Sequence, residues 1–169
     1  STASNSALNI INGSNVTLMD SATGGKVTTS TAQLTIRTSD ANLIIKSGIY
    51  ENENSSWTSY VLGAYSSGNI TIEGGTIQTS KSKMYLVYLQ SVNAVISGGN
   101  FIGSVTCFDG CNSIALSGGE YKSITTNNTS KVSNLLASGY GFKNKSDDTW
   151  VNNLGRDADL YNDLNNYSL

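Results

Sequence analysis

At 169 residues the chain is long enough for one domain with a real core and too short for two. Charged residues make up only 13%, and the net charge of −2 comes with no run of Lys or Arg, which excludes the footprint needed to hold a nucleic-acid backbone. With no histidine the commonest metal ligand and the commonest general base near neutral pH are both missing, so catalytic triads and zinc hydrolysis are largely excluded and no cofactor is expected.

The rest of the composition points to strands. Ser, Thr, Asn and Gly dominate, β-branched residues occur throughout, and there is no proline to remove a ladder hydrogen bond. No stretch approaches the roughly 18 apolar residues of a membrane span, so no membrane insertion is expected. The opening Ser1-Thr2-Ala3-Ser4 lacks the basic and apolar regions of a signal peptide, which reads as a mature or excised fragment.

In chain order, a repeat emerges. Asn15-Val-Thr-Leu-Met-Asp20 is a degenerate first copy that keeps an asparagine and an apolar alternation. Asn42-Leu-Ile-Ile-Lys-Ser-Gly48-Ile-Tyr50 adds a glycine corner and a closing aromatic, and Asn69–Ile77, Asn93–Phe101 and Ile114–Tyr121 repeat the plan, the last with Asn112 one residue further upstream. Steps between the asparagines are 27, 27, 24 and 19 residues, lengths at which self-similarity marks a solenoid.

Within each unit the period is two. Leu43/Ile45, Ile70/Ile72, Ala94/Ile96 and Ile114/Leu116 are expected to point inward, and Ile44, Thr71, Val95 and Ala115 outward. Glycine supplies positive φ or a close backbone approach at the corner, after which Tyr50, Ile77, Phe101 or Tyr121 re-enters the core. A further β-rich run precedes each Asn: Leu34–Ile36, Tyr60–Leu62, Leu86–Leu89 and Val105–Cys107. The expected fold is therefore all-β, a right-handed parallel β-helix (β-solenoid) of about five coils, with the asparagines in a ladder that satisfies buried turn amides; Asn69, if buried there, could not carry a glycan on its sequon. A β-sandwich with similar strand spacing is the rival.

Loop length carries the main functional signal. Glu51–Ser59 and Gln78–Lys83 are inserted in adjacent repeats, whereas the next repeat has only Ile102–Ser104. Such insertions stack on one edge, often the binding face. They place Trp57, Tyr60, Lys81, Lys83, Met84 and Tyr85 as candidate binding residues, with the alternative that Trp57 and Tyr85 merely fold back over the coil side.

Further along, Cys107 and Cys111 straddle one corner and could form a disulfide or remain two thiols. Lys46 and Glu73 occupy the same repeat position one coil apart, an expected exposed ion pair. Asp147-Asp148, the only adjacent carboxylate pair, sits in a turn-rich segment and is read as turn chemistry, not as a glycosidase pair.

The ends depart from the repeat, as solenoid ends must. Coils are expected over 1–130 and a helix–hairpin cap over 131–152, with Ser133 capping a short helix across Asn134–Ala137 and a hairpin about Asn144–Asp148 that packs Trp150 back on the cap. Over 153–169, Leu160 and Leu164 lie four apart, which fits a terminal helix or a linker.

The I-x-I-x-G-G-x-F units, with Val132-Ser-Asn-Leu-Leu-Ala-Ser-Gly-Tyr-Gly-Phe142 behind them, resemble the β-solenoid modules of large repetitive surface proteins of gut Firmicutes, over roughly residues 12–152. The resemblance implies a secreted or cell-surface module of a larger multi-module protein that binds a host macromolecule, adhesin-like and with immunoglobulins or mucosal proteins among the partners it allows, or that spaces a binding module. Carbohydrate binding on the aromatic edge is the alternative, and a polysaccharide-active enzyme comes third. The expectation is of no enzyme activity, of a host protein or glycan as partner, and of no nucleic acid.

Overall fold

A computed structural model describes residues 5–22, 24–125, 135–151, 164 and 167–169. Strands follow the alternation read from the sequence: β1 (Ser6–Ile11), β2 (Asn15–Leu18), β3 (Lys26–Thr29), β4 (Leu34–Ile45), β5 (Ile49–Asn52), β6 (Tyr60–Ile72), β7 (Thr76–Gln78), β8 (Val87–Gln90), β9 (Asn93–Ile102), β10 (Thr106–Asp109), β11 (Ser113–Tyr121) and β12 (Ile124–Thr125). All pair in parallel with the equivalent strand one turn away. The result is an all-β parallel β-solenoid of about four turns.

The strands form three stacks. The first contains β1, the start of β4 and of β6, β8, β10 and β12; the second runs through β2 and the ends of β4 and β6 into the starts of β9 and β11. The third contains β3, β5, β7 and the ends of β9 and β11. At the corner between the first two, Asn12, Asp40, Ser66 and Ser91 take left-handed backbone; the strand breaks at Asn12 and Ser91 but runs on through Asp40 and Ser66, which makes β4 and β6 long.

The glycine pair at the next corner uses both properties of the residue. Gly75 has φ +87°, and at its counterpart one turn on, the first glycine of the pair is held by space instead: a Cβ on Gly98 would lie 2.3 Å from the Glu73 carbonyl oxygen. The aromatic re-entry position follows, and Tyr50, Ile77, Phe101 and Tyr121 are all buried. Phe101 and Tyr121 stack at 4.6 Å.

The inward columns match the expected register. Leu43, Ile45, Ile70, Ile72, Ala94, Ile96 and Leu116 are 0–1% exposed, Ile114 is partly buried, and Val95 on the outer side is 46% exposed. Lys46 and Glu73 form the expected ion pair at 3.7 Å. The asparagine ladder is real but differs in two ways. Nδ2 of Asn42, Asn69 and Asn93 donates to Oδ1 of Asn15, Asn42 and Asn69 at 2.7, 2.7 and 3.1 Å, at the surface and not over buried amides. Its next rung is Ser113, whose Oγ donates to Asn93 Oδ1 at 2.9 Å because Ser113 is the residue in register, while Asn112 turns to the Ser91 carbonyl.

The far end departs more from expectation. Among the described residues there is no helix. Ser133 and Asn134 lie outside them, and Leu135–Ala137 are extended, with Leu136 bridging Leu116 in parallel. Leu116 N donates to Leu135 O at 2.7 Å and Ala137 N to Leu116 O at 2.9 Å. An extended segment answers the bare peptide groups of the β11 edge, whereas a helix would turn its own inward and leave them unpaired.

The hairpin is present: β13 (Phe142–Asn144) pairs antiparallel with β14 (Trp150–Val151), and β15 (Tyr167–Ser168) pairs on its other side. Trp150 does not pack back. It faces Lys143 across the ladder, on the side opposite buried Phe142, and is 59% exposed with Lys143 Nζ 5.9 Å from its ring. Asp147 accepts from the Thr149 amide and hydroxyl, and Asp148 pairs with Lys143, both within the turn. Leu160 lies outside the described residues; Leu164 is buried, its amide donating to the Lys122 carbonyl.

Candidate functional site

The outer side of the first stack carries the most distinctive chemistry. Register places Asn9, Arg37, Gly63, Tyr88, Cys107 and Thr125 in one outward column. At Gly63 the column has no side chain, and the notch is filled from both sides: a Cβ there would lie 2.4 Å from Leu34 Cδ2 and 2.9 Å from Tyr65 Cε2. Tyr65 is thereby held with the Arg37 guanidinium 6.0 Å over its ring and Tyr88 5.9 Å away on the next turn.

Tyr88 is the hub. Its ring centroid lies 5.4 Å from Tyr85 and 5.8 Å from Tyr60, both stacked, and Tyr60 and Tyr85 are themselves 5.9 Å apart. The four rings therefore pack on each other along the solenoid axis, at separations that suit aromatic pairs. Tyr88 Oη donates to Asp109 Oδ2 at 2.7 Å.

Electrostatically the surface is neutral hydroxyl. Burial raises the phenol pKa of Tyr60, Tyr65, Tyr85 and Tyr88, and for Tyr88 the bond to Asp109 adds to it. Cys107, fully buried beneath the rings, is pushed up to about 12 by burial and then by Asp109, so it is a thiol and not a nucleophile at neutral pH. Cys111 donates to the Leu89 carbonyl at 3.3 Å, and no disulfide joins it to Cys107: one faces outward under the rings and the other packs in the core, so of the two alternatives the structure has two thiols.

The corner loops beside this face explain the remaining candidates. Asn52, fully buried, donates to the Tyr60 carbonyl at 2.9 Å and to Gln33 O at 3.3 Å, and Asn54 donates to Thr31 O at 2.9 Å. Lys83 belongs to this frame and not to an exposed edge. It is 3% exposed, and its Nζ donates to Asn52 Oδ1 at 3.3 Å, Ser59 Oγ at 2.6 Å and the Asn54 carbonyl. Burial lowers its pKa and nearby Glu53 opposes that shift. The insertions stack as expected, but stacking encloses a long cation whose ammonium group is met by three oxygens of the frame.

Lys81 stays outside, 3.8 Å from Glu53. Trp57 and Met84 are 54% and 37% exposed and lie one turn apart, joined by the Met84 amide donating to the Trp57 carbonyl at 2.9 Å. Trp57, Met84, Tyr85, Tyr60, Tyr88 and Tyr65 thus form a strip from the corner across the face. Sequence reasoning found four of these and missed Tyr65 and Tyr88, together with Arg37 and Asp109 at the margins. A usable signal was present: Arg37, Tyr88 and Cys107 each stand five residues before an Asn.

A shallow groove of about 330 Å³ lies elsewhere, between the last turns of the third stack and the hairpin, lined by Ile102, Tyr121, Lys122 and an ion-paired Glu120 and Lys145. Its charges largely answer each other. No family model matches the chain, and neither a curated protein nor a solved structure matches it.

Proposed function

We propose that the chain is a non-enzymatic binding module of a bacterial surface protein, and that the tyrosine strip on the first stack engages a host protein. The observation that carries this reading is the mutual stacking of the rings. Tyr88 has three other tyrosines within 6 Å, so the aromatic faces are spent on each other and on Arg37, and hydroxyl edges are what a partner meets. Sugar recognition uses open ring faces, whereas rigid tyrosines with hydroxyl edges suit protein recognition at low entropic cost. The surface setting, and with it the choice of a mucosal or serum protein such as an immunoglobulin, rests on the resemblance of the repeat units.

One observation favours a second reading, glycan binding: Trp57 stands 54% exposed on the adjoining corner. The experiment that separates the two is a glycan array run beside affinity capture from mucosal secretions. A flat array with specific capture of one protein supports the first reading; array signal lost in Trp57→Ala supports the second. Release of sugar product from any glycan on the array would overturn both.

A further inference from the structure

Two opposite charges border the tyrosine strip, and among the described residues neither has an ionic partner. Elsewhere lysines are answered by carboxylates, as in Lys26–Glu51, Lys46–Glu73, Lys81–Glu53 and Lys145–Glu120. Arg37 instead lays its guanidinium over the Tyr65 ring and donates from Nη1 to Asn9 Oδ1 at 3.4 Å. A stacked guanidinium keeps the rest of its planar N–H edge, whose geometry matches a carboxylate. Asp109 accepts from the Tyr88 hydroxyl with Oδ2, and no hydrogen bond among the described residues engages its Oδ1.

The two charges stand too far apart to answer each other. Arg37 lies on β4 and Asp109 on β10, three steps along the first stack through β6 and β8. At about 4.8 Å per strand they are about 14 Å apart along the axis. Between them the surface is aromatic and uncharged: Tyr65 and Tyr88 are 5.9 Å apart, and Gly63 adds no side chain. The strip is therefore polarised, with a cation at one end, an anion at the other and ring edges in the middle.

We propose that the strip binds an extended segment of its protein partner that sets an acidic side chain against Arg37, an uncharged one against the ring edges and a basic one against Asp109. An extended chain presents every second side chain on one face and advances about 3.4 Å per residue, so about four residues separate the two charges. Charge complementarity decides the class of occupant. A polyanion such as a sulfated glycan gains at Arg37 and is repelled at Asp109, and a neutral glycan covers both charges without answering either. This inference rests on the reading of the strip as a protein-binding surface and adds to it the charge pattern and the axis along which the partner lies.

Panning a random linear peptide library on the wild-type chain, with Tyr88→Ala, Arg37→Gln and Asp109→Asn beside it, tests the proposal. The expected result is enrichment of peptides that carry an acidic and a basic residue about four positions apart. Such a peptide should bind Arg37→Gln and Asp109→Asn each about two- to fivefold more weakly, the second variant still offering Tyr88 an acceptor. If either variant unfolds, the wild-type chain decides: the peptide with its acidic residue made the amide, or its basic residue made norleucine, must bind more weakly. Selection without the paired charges, no selection at all, or equal binding of the neutralised peptides overturns the inference. Binding that depends on Tyr88 and on neither charge removes this inference and leaves the strip standing, whereas peptides indifferent to Tyr88→Ala remove both.

Discussion

The Tyr88 hydroxyl donates to the Asp109 carboxylate one turn further on, at 2.7 Å, and the Cys107 thiol lies buried in the same patch. Both groups hold their protons more tightly folded than unfolded: Cys107 is pushed up to about 12 from 9.0, and the Tyr88 phenol is raised above 10.0. Their contribution is fully present below pH 9.0 and is lost as the pH rises through the folded values, because the unfolded chain releases its protons first. Lys83 works in the opposite sense, its lowered pKa easing burial as pH rises. The thiol and four phenols outnumber it, so denaturant midpoints are expected to be level near neutrality and to fall steadily above pH 9, while phenolate absorbance rises.

Gly63 is expected to be intolerant of any side chain. Its φ is not in the left-handed region, so the constraint is space: Leu34 and Tyr65 occupy the position. Gly63→Val should cost about 1 to 3 kcal/mol as overpacking and should displace Tyr65 from Arg37. Near-UV circular dichroism reads the ring displacement and denaturant melts read the cost; unchanged spectra would show the notch to be elastic.

Lys83→Met is the corresponding test of the corner frame. It preserves the stem volume but removes the ammonium donor shared by Asn52 Oδ1, Ser59 Oγ and the Asn54 carbonyl, leaving Asn52 Oδ1 only the Asn54 amide, which should cost about 1 to 3 kcal/mol. Lys81→Ala, at an exposed ion pair, should cost no more than about 1 kcal/mol. Equal melting temperatures for the two variants would remove Lys83 from the frame.

Inside the solenoid, Ile72→Ala should cost about 2 to 5 kcal/mol while its outward neighbour Thr71→Ala stays within about 0.5. Thr106 offers the converse. Its Oγ1 is buried without a hydrogen-bond partner in a column between Val87 and Ile124, so Thr106→Val should stabilise by about 1 kcal/mol or more. Urea titrations of the four proteins check the in–out register at both sites.

Where the sequence was legible, a strict period did the work. The alternation in Asn42–Ile45 and its copies places the core because one wrong step would expose every apolar side chain. Gly75 and Gly98 were legible as corners for the same reason. What the repeat does not encode was harder to read. The exposed tryptophan of the hairpin follows from which side Phe142 takes, and the extended path of Leu135–Ala137 from the unpaired edge of β11, neither of which is local. The site was half legible: loop insertions pointed to Trp57, Tyr60, Met84 and Tyr85, but Lys83 looked like an edge charge because its three oxygen partners come from the previous turn. Tyr65 and Tyr88 were hidden because, Tyr85 apart, the groups Tyr88 meets lie on other turns, Tyr65 23 residues before it and Asp109 21 after it.

The binding role of the strip is tested most directly by measuring the affinity of the protein captured from mucosal secretions for wild-type chain, Tyr88→Ala and Thr71→Ala by biolayer interferometry. Tyr88 is the hub of the rings and Thr71 lies on the outer side of the neighbouring stack, so the two variants sample adjacent faces of one fold. With melting temperatures showing both variants folded, Tyr88→Ala is expected to weaken binding by about tenfold or more and Thr71→Ala to leave it unchanged. Wild-type affinity in folded Tyr88→Ala, or a loss confined to Thr71→Ala, would contradict the assignment of the tyrosine strip as the binding surface.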